Sequence, residues 1–184
     1  MRSYELKKRA ETVAATRERI VEATMELHEE VGPARTTVAA IAARAGVSRP
    51  TVYNQFPDDR SLFSACSALF RGLNPAPDLL DLPLEEAFLA QYRFYAANEQ
   101  MLTHIWRDAE VLPSLAAVFE PVRRHLRAAA TELVRPLGRR GARSTRATAF
   151  ATLALELPTW TSLRHSGLDD VAAAALMAAL VPEA

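Results

Sequence analysis

Apolar side chains in the opening segment return to one helical face: Leu6, Val13, Ile20, Met25 and Leu27, with charged residues between them. That is the period of an amphipathic helix. Gly32-Pro33 ends it, because proline has no N–H to continue the ladder. A second helix is expected after Thr36-Thr37, carrying Val38, Ile41 and Ala42 as far as Gly46. Ser48 opens a short third helix holding Val52 and Phe56, and Pro57 closes it. Asp58-Asp59 begin a fourth, with Leu62, Phe63, Cys66, Leu69 and Phe70 as its apolar stripe; acids in a first turn suit the helix dipole.

From Gly72 to Pro83 the pattern lapses, and Pro75, Pro77 and Pro83 mark a stiff linker and a domain boundary. Helical spacing resumes with Leu84, Phe88, Tyr92 and Tyr95, then over Glu99 to Val111, then from Leu115 to Leu137. Gly138 to Arg143 interrupts it. One helix is expected over about Thr145 to Arg164 with a kink at Pro158, and a last one from Asp169 to Val181. Strand-like alternation is almost absent and glycine is scarce, at six residues. The chain reads as all-α, with about nine helices.

Charge changes the picture only locally. The 184 residues carry 22 basic and 22 acidic side chains, so no global field points to nucleic acid. Val31 to Pro57, however, holds Arg35, Arg44 and Arg49 with no acid, and Arg2, Lys7, Lys8 and Arg9 face only Glu5 near the start. A single cysteine, Cys66, excludes an intrachain disulfide and suits a reducing cytoplasm. The charged opening lacks the apolar stretch of a signal peptide, and no apolar run is long enough to span a bilayer.

Thr37 to Phe56 has the chemistry of a helix-turn-helix. Ala42 is small where two helices cross, Gly46 accepts the left-handed conformation of a tight turn, and Val47 fills the gap between them. Ser48 is placed to cap the next helix. With Val52 and Phe56 inward, Pro50, Thr51, Tyr53 and Asn54 face outward and Arg49 flanks the first turn. The N-terminal half of such a helix enters a major groove, where Arg, Asn and Thr meet base edges. A plain structural hairpin would leave that outward set unexplained.

These residues resemble the tetracycline-repressor (TetR) family of bacterial regulators. The likeness covers about Arg17 to Phe70: Gly32, Thr36-Thr37, Ile41-Ala42, Ala45-Gly46-Val47-Ser48, Thr51-Val52-Tyr53, Phe56 and Leu62-Phe63. It implies a three-helix DNA-binding head, a helical effector-binding and dimerisation body, and repression relieved by a small molecule. By the same resemblance Arg49, Pro50 and Tyr53 match base-contacting positions, while Thr37, Thr51 and Gln55 lie near phosphates. One position departs: the family usually places a phosphate-holding lysine where this chain has Asp59, so the contact is lost or passes to Arg60 or to the arm around Lys7 and Lys8. The expected organisation is a basic arm over 1–15, a DNA-binding domain over 16–62 with the helix-turn-helix at about 37–56, and a ligand-binding and dimerisation domain over 63–184.

For the body, the resemblance names no ligand. Tyr92, Tyr95, His104, Trp106, Phe119 and Trp160 are candidates to line an effector pocket, against ordinary core packing. His104 and Asp108 have the spacing of two metal ligands on a helix, but no third lies nearby, so no metal and no cofactor are expected. His28, His125 and His165 read as surface histidines, and Cys66 as a small buried hydrophobe. The final helix is apolar nearly all round, so a second subunit is its natural cover, as in the dimers of the family. Two other classes compete. A helical-bundle enzyme would need a catalytic constellation that these singly scattered residues do not form. A sequence-non-specific DNA-binding protein would want a strongly positive net charge.

Overall fold

The opening stripe forms one continuous helix, α1 (Arg2–Val31), which joins the expected arm to the first helix of the head. The computed structural model of the protein describes residues 2–183, with side chains from 10 to 181. The side chains of Lys7 and Lys8 therefore lie outside the described residues. Gly32 and a short 3-10 turn, Pro33–Arg35, lead into α2 (Val38–Ala45), α3 (Arg49–Gln55) and α4 (Asp59–Leu73). After the proline linker come α5 (Leu84–Ala97), α6 (Glu99–Ala109), α7 (Pro113–Val134), α8 (Ala142–Ala154), α9 (Leu157–His165) and α10 (Asp170–Glu183). No strand occurs among the described residues, and none of their helices is long and apolar enough to cross a membrane.

The chain divides into two units, the first comprising residues up to 74 together with 104–118, the second 75–103 and 119 onward. The first unit is built on Ile20, Val21, Ala23 and Leu27 of α1, Ile41, Ala42 and Ala45 of α2, Val52 and Phe56, and Leu62 and Cys66 of α4. Burying each larger member contributes roughly 1.5–3 kcal/mol. Cys66 is buried and its thiol is pushed up to about 12 by that burial, so it packs as a small hydrophobe. In the second unit α10 lies against α5, α8 and α9. Ala147, Ala151 and Ala154 of α8 and Ala173 and Ala174 of α10 are fully buried; their small side chains let the helices approach closely.

Pro158 breaks the helix expected over 145–164 instead of kinking it, which is why ten α-helices are described and not nine. A continuous helix would send the Pro158 N–H to the carbonyl of Ala154, and proline has none. The Tyr92 hydroxyl donates to that carbonyl at 2.9 Å, and the Tyr95 hydroxyl donates to the carbonyl of Leu155. Two side chains of α5 thus satisfy the acceptors that the break exposes, and the chain restarts as α9 with Pro158 in its first turn.

The last helix is only half covered by its own chain. Ala173, Ala174, Met177 and Val181 point into the second unit, whereas Val171, Leu176 and Leu180 are 53%, 43% and 39% exposed, and Leu153 of α8 is 51% exposed.

Candidate nucleic-acid interface

The turn between α2 and α3 forms as its sequence dictates. Thr37 caps α2 by accepting the Ala40 N–H at 3.2 Å. Gly46 ends α2 in the left-handed conformation, φ 65° and ψ 38°, and the Val47 N–H returns to the Ala42 carbonyl at 3.0 Å. Ser48 accepts the Thr51 N–H, and the Ser48 and Thr51 hydroxyls share a hydrogen bond of 2.8 Å. Val52 sits in the core while Arg49, Pro50, Tyr53 and Asn54 are exposed, with Thr51 and Gln55 half-buried. Every base-reading candidate on α3 therefore lies on one accessible surface of a helix fixed from behind.

At the start of α4 the cap is Asp58, which accepts the Ser61 N–H at 2.7 Å. That bond, joined by the Ser61 hydroxyl and the charge of Arg60, holds the Asp58 carboxyl below its ordinary range. Asp59 is exposed beside it, and Arg60 is the exposed cation of that turn.

Two contacts revise the expected charge and one adds a residue that spacing did not reveal. Arg44 is not part of an acid-free surface: its guanidinium forks onto Glu30 at 2.8 and 2.9 Å and also reaches Glu26 at 3.1 Å. Both acids belong to α1, just ahead of the acid-free stretch from Val31 to Pro57. Arg17, also of α1, donates from Nη1 to the carbonyl of Gln55 at 2.7 Å and lies 3.9 Å over the Phe56 ring.

His28 is a further correction. It is 4% exposed, with its ring 5.6 Å from that of Phe63. Its carbonyl meets His104 Nδ1 at 3.1 Å. Asp108 is equally buried: it pairs with Arg107 Nε at 2.7 Å and accepts the Ala34 N–H at 2.8 Å. Burial raises the Asp108 carboxyl, but the Arg107 and Ala34 hydrogen bonds and the neighbouring cations together bring it below its ordinary value. His104 and Asp108 thus hold the turn after α1 and do not stand as a free pair of metal ligands.

This junction carries a pH dependence. Burial pushes the His28 imidazole down to about 4 from 6.5, with partial relief from the charge of Asp108. The unfolded chain takes up that proton near the ordinary value, the folded chain only near the lowered one. Stability should therefore be intact above pH 6.5 and fall by about 2–3 kcal/mol between pH 6.5 and 4. Urea melts of the wild type and His28→Phe across this window check it: the wild type should lose ground to the variant on acidification, and a constant difference rejects it.

Of the candidates in the body, Tyr92, Tyr95 and Trp160 come together in the second unit. The Tyr95 and Trp160 ring centres are 5.8 Å apart, and Trp160 Nε1 donates to Asp170 at 2.9 Å. Burial raises both tyrosine hydroxyls well above their ordinary value, so both remain protonated donors. Phe119 belongs to the same unit, half-buried, with Arg123 5.8 Å over its ring. His104 and Trp106 belong to the first unit.

Residues 20–66 match the model of the bacterial regulatory proteins of the tetR family. Over these residues the head is similar to those of the TetR family. An uncharacterized HTH-type transcriptional regulator of Mycobacterium tuberculosis (strain ATCC 25618 / H37Rv) is 48% identical over 52 residues, 28% of each chain. A Mycobacterium bovis protein of the same description matches equally. The match thus spans about a quarter of these relatives' length. A transcriptional regulator from Rhodococcus sp. RHA1 shares the fold at TM-score 0.62 and 18% identity, over 91% of this chain and 96% of that one. A tetR-family regulator from Streptomyces coelicolor does so at TM-score 0.57 and 22% identity, over 90% and 77%. In these relatives the sequence likeness covers the head, while the likeness of fold to the solved structures extends over the helices that follow it.

Proposed function

We propose that the chain is a cytoplasmic DNA-binding transcriptional regulator: a repressor that binds a palindromic operator as a homodimer and leaves it when a small-molecule effector binds the body. One observation carries this. The helix after the Gly46 turn exposes Arg49, Pro50, Tyr53 and Asn54 together while Val52, behind them, is packed into the head. That arrangement supports a helix that reads base edges in a major groove, with Thr37, Thr51, Gln55 and Arg60 proposed for the phosphates. The dimer is supported by the uncovered apolar residues of α8 and α10. An effector that uses Tyr92, Tyr95 and Trp160 has to open a packed cluster, since Tyr92 and Trp160 are fully buried.

Selection from a random duplex library tests the function. It should enrich a palindrome whose half-sites lie about 34–36 Å apart, or a multiple of that. Arg49→Ala should cost about 1–3 kcal/mol per contact and relax one base position in each half-site. Binding without any enrichment would instead favour the non-specific alternative, and an unchanged preference in Arg49→Ala would remove Arg49 as a reader.

A further inference from the structure

We propose that Arg17 is a positioning residue for base reading: by capping the last turn of α3 and lying on Phe56, it sets the angle at which Arg49, Tyr53 and Asn54 meet DNA. That role rests on α3 being the recognition helix.

α3 has seven residues, too few for its own backbone bonds to hold it. Its first turn is tied by Ser48 and its middle by Val52. The far end is different. The carbonyl of Val52 takes the Phe56 N–H at 2.8 Å, but Pro57 has no N–H to continue the ladder. Pro57 thus adds nothing beyond that bond, and the carbonyl of Gln55, the last residue of the helix, accepts from Arg17, 38 residues earlier in the chain. The same guanidinium lies on the ring of Phe56, which is buried in the head. One planar cation therefore fixes two successive residues at the end of α3 and meets the negative end of its dipole. Lysine has a point charge and no plane, so it cannot make both contacts.

The lever is short. Seven residues span about 10 Å, so moving the far end by roughly 1 Å tilts the helix by several degrees. Base-edge hydrogen bonds work over a range of only about 0.5 Å. The loss of Arg17 should thus be felt as loss of discrimination more than loss of attraction to DNA.

The test uses the full chain with Arg17→Met, which keeps the apolar stem, and Arg17→Lys, which keeps the charge. Each is measured on the enriched palindrome and on a random duplex of equal length over a salt series. Amide hydrogen exchange of residues 49–56 is followed without DNA. Both variants should exchange faster in α3 than the wild type but not in α2. Their affinity for the palindrome should fall about tenfold or more, while random-duplex affinity and its salt slope stay put. A slope flattened by about one unit per subunit, with discrimination intact, makes Arg17 a phosphate contact and overturns the proposal. Full discrimination with a lower melting temperature makes it merely structural, and rescue by lysine reduces it to a charge; either overturns it. Unaltered exchange in α3 refutes the clamp while the DNA function stands. Should the wild type itself prefer no sequence, the positioning role falls together with that function.

Discussion

Replacing Gly32 by valine is expected to destabilise the first unit by about 2–6 kcal/mol. At φ 89° and ψ 158°, Gly32 occupies a backbone region that is essentially closed to residues with a Cβ. Space is also lacking: a Cβ would stand 2.6 Å from the carboxylate of Asp108 and closer still to Nη2 of Arg107. Strain of roughly 1–3 kcal/mol is therefore joined by displacement of the buried Asp108 carboxylate from the Ala34 N–H and from the half-exposed Arg107, a loss of about 1–3 kcal/mol. Gly46 provides the contrast. It too is left-handed, but nothing lies within 4 Å of its Cβ direction, so Gly46→Ala should cost only about 1–2 kcal/mol. Chemical denaturation of the two variants decides the matter; equal losses would mean that backbone strain, not packing against Asp108, fixes the residue at 32.

The second large effect concerns assembly. Leu176→Glu combined with Leu180→Glu should leave a folded monomer at micromolar concentration. Both side chains are exposed in the isolated chain, so charge at these positions threatens little within the protomer. Across a dimer interface the same carboxylates would be buried without partners, which is far costlier than the apolar contact they replace. A palindrome would then be gripped by one head at a time, and the loss of the linked second head should weaken operator binding about 100- to 10,000-fold. Sedimentation and circular dichroism check both halves: a dimer that persists with unchanged helicity would place the interface elsewhere.

The head was legible in the sequence because its determinants are local. Gly46, Ser48, Val52 and Phe56 fall within a short window, and each acts on neighbours three or four residues away. What escaped was non-local. Arg44 reads as a free cation until α1 brings Glu26 and Glu30 beside it, and His28 reads as a surface residue until Phe63 and the end of α6 cover it. The return of residues 104–118 to the first unit has no signature in periodicity, which reports which face of a helix is apolar but not what covers it. Pro158 was visible as an interruption. Whether it bent the helix or ended it was decided by Tyr92 and Tyr95, more than fifty residues upstream.

That last dependence makes Tyr92 and Pro158 an epistatic pair. Give position 158 an N–H again and the carbonyl of Ala154, with two lone pairs, can take a helical partner beside the Tyr92 hydroxyl. Remove the hydroxyl alone and the carbonyl is stranded. The hydroxyl should therefore be cheaper to lose once position 158 carries an N–H, so the order of change matters, and a chain with an ordinary residue at 158 should tolerate phenylalanine at 92.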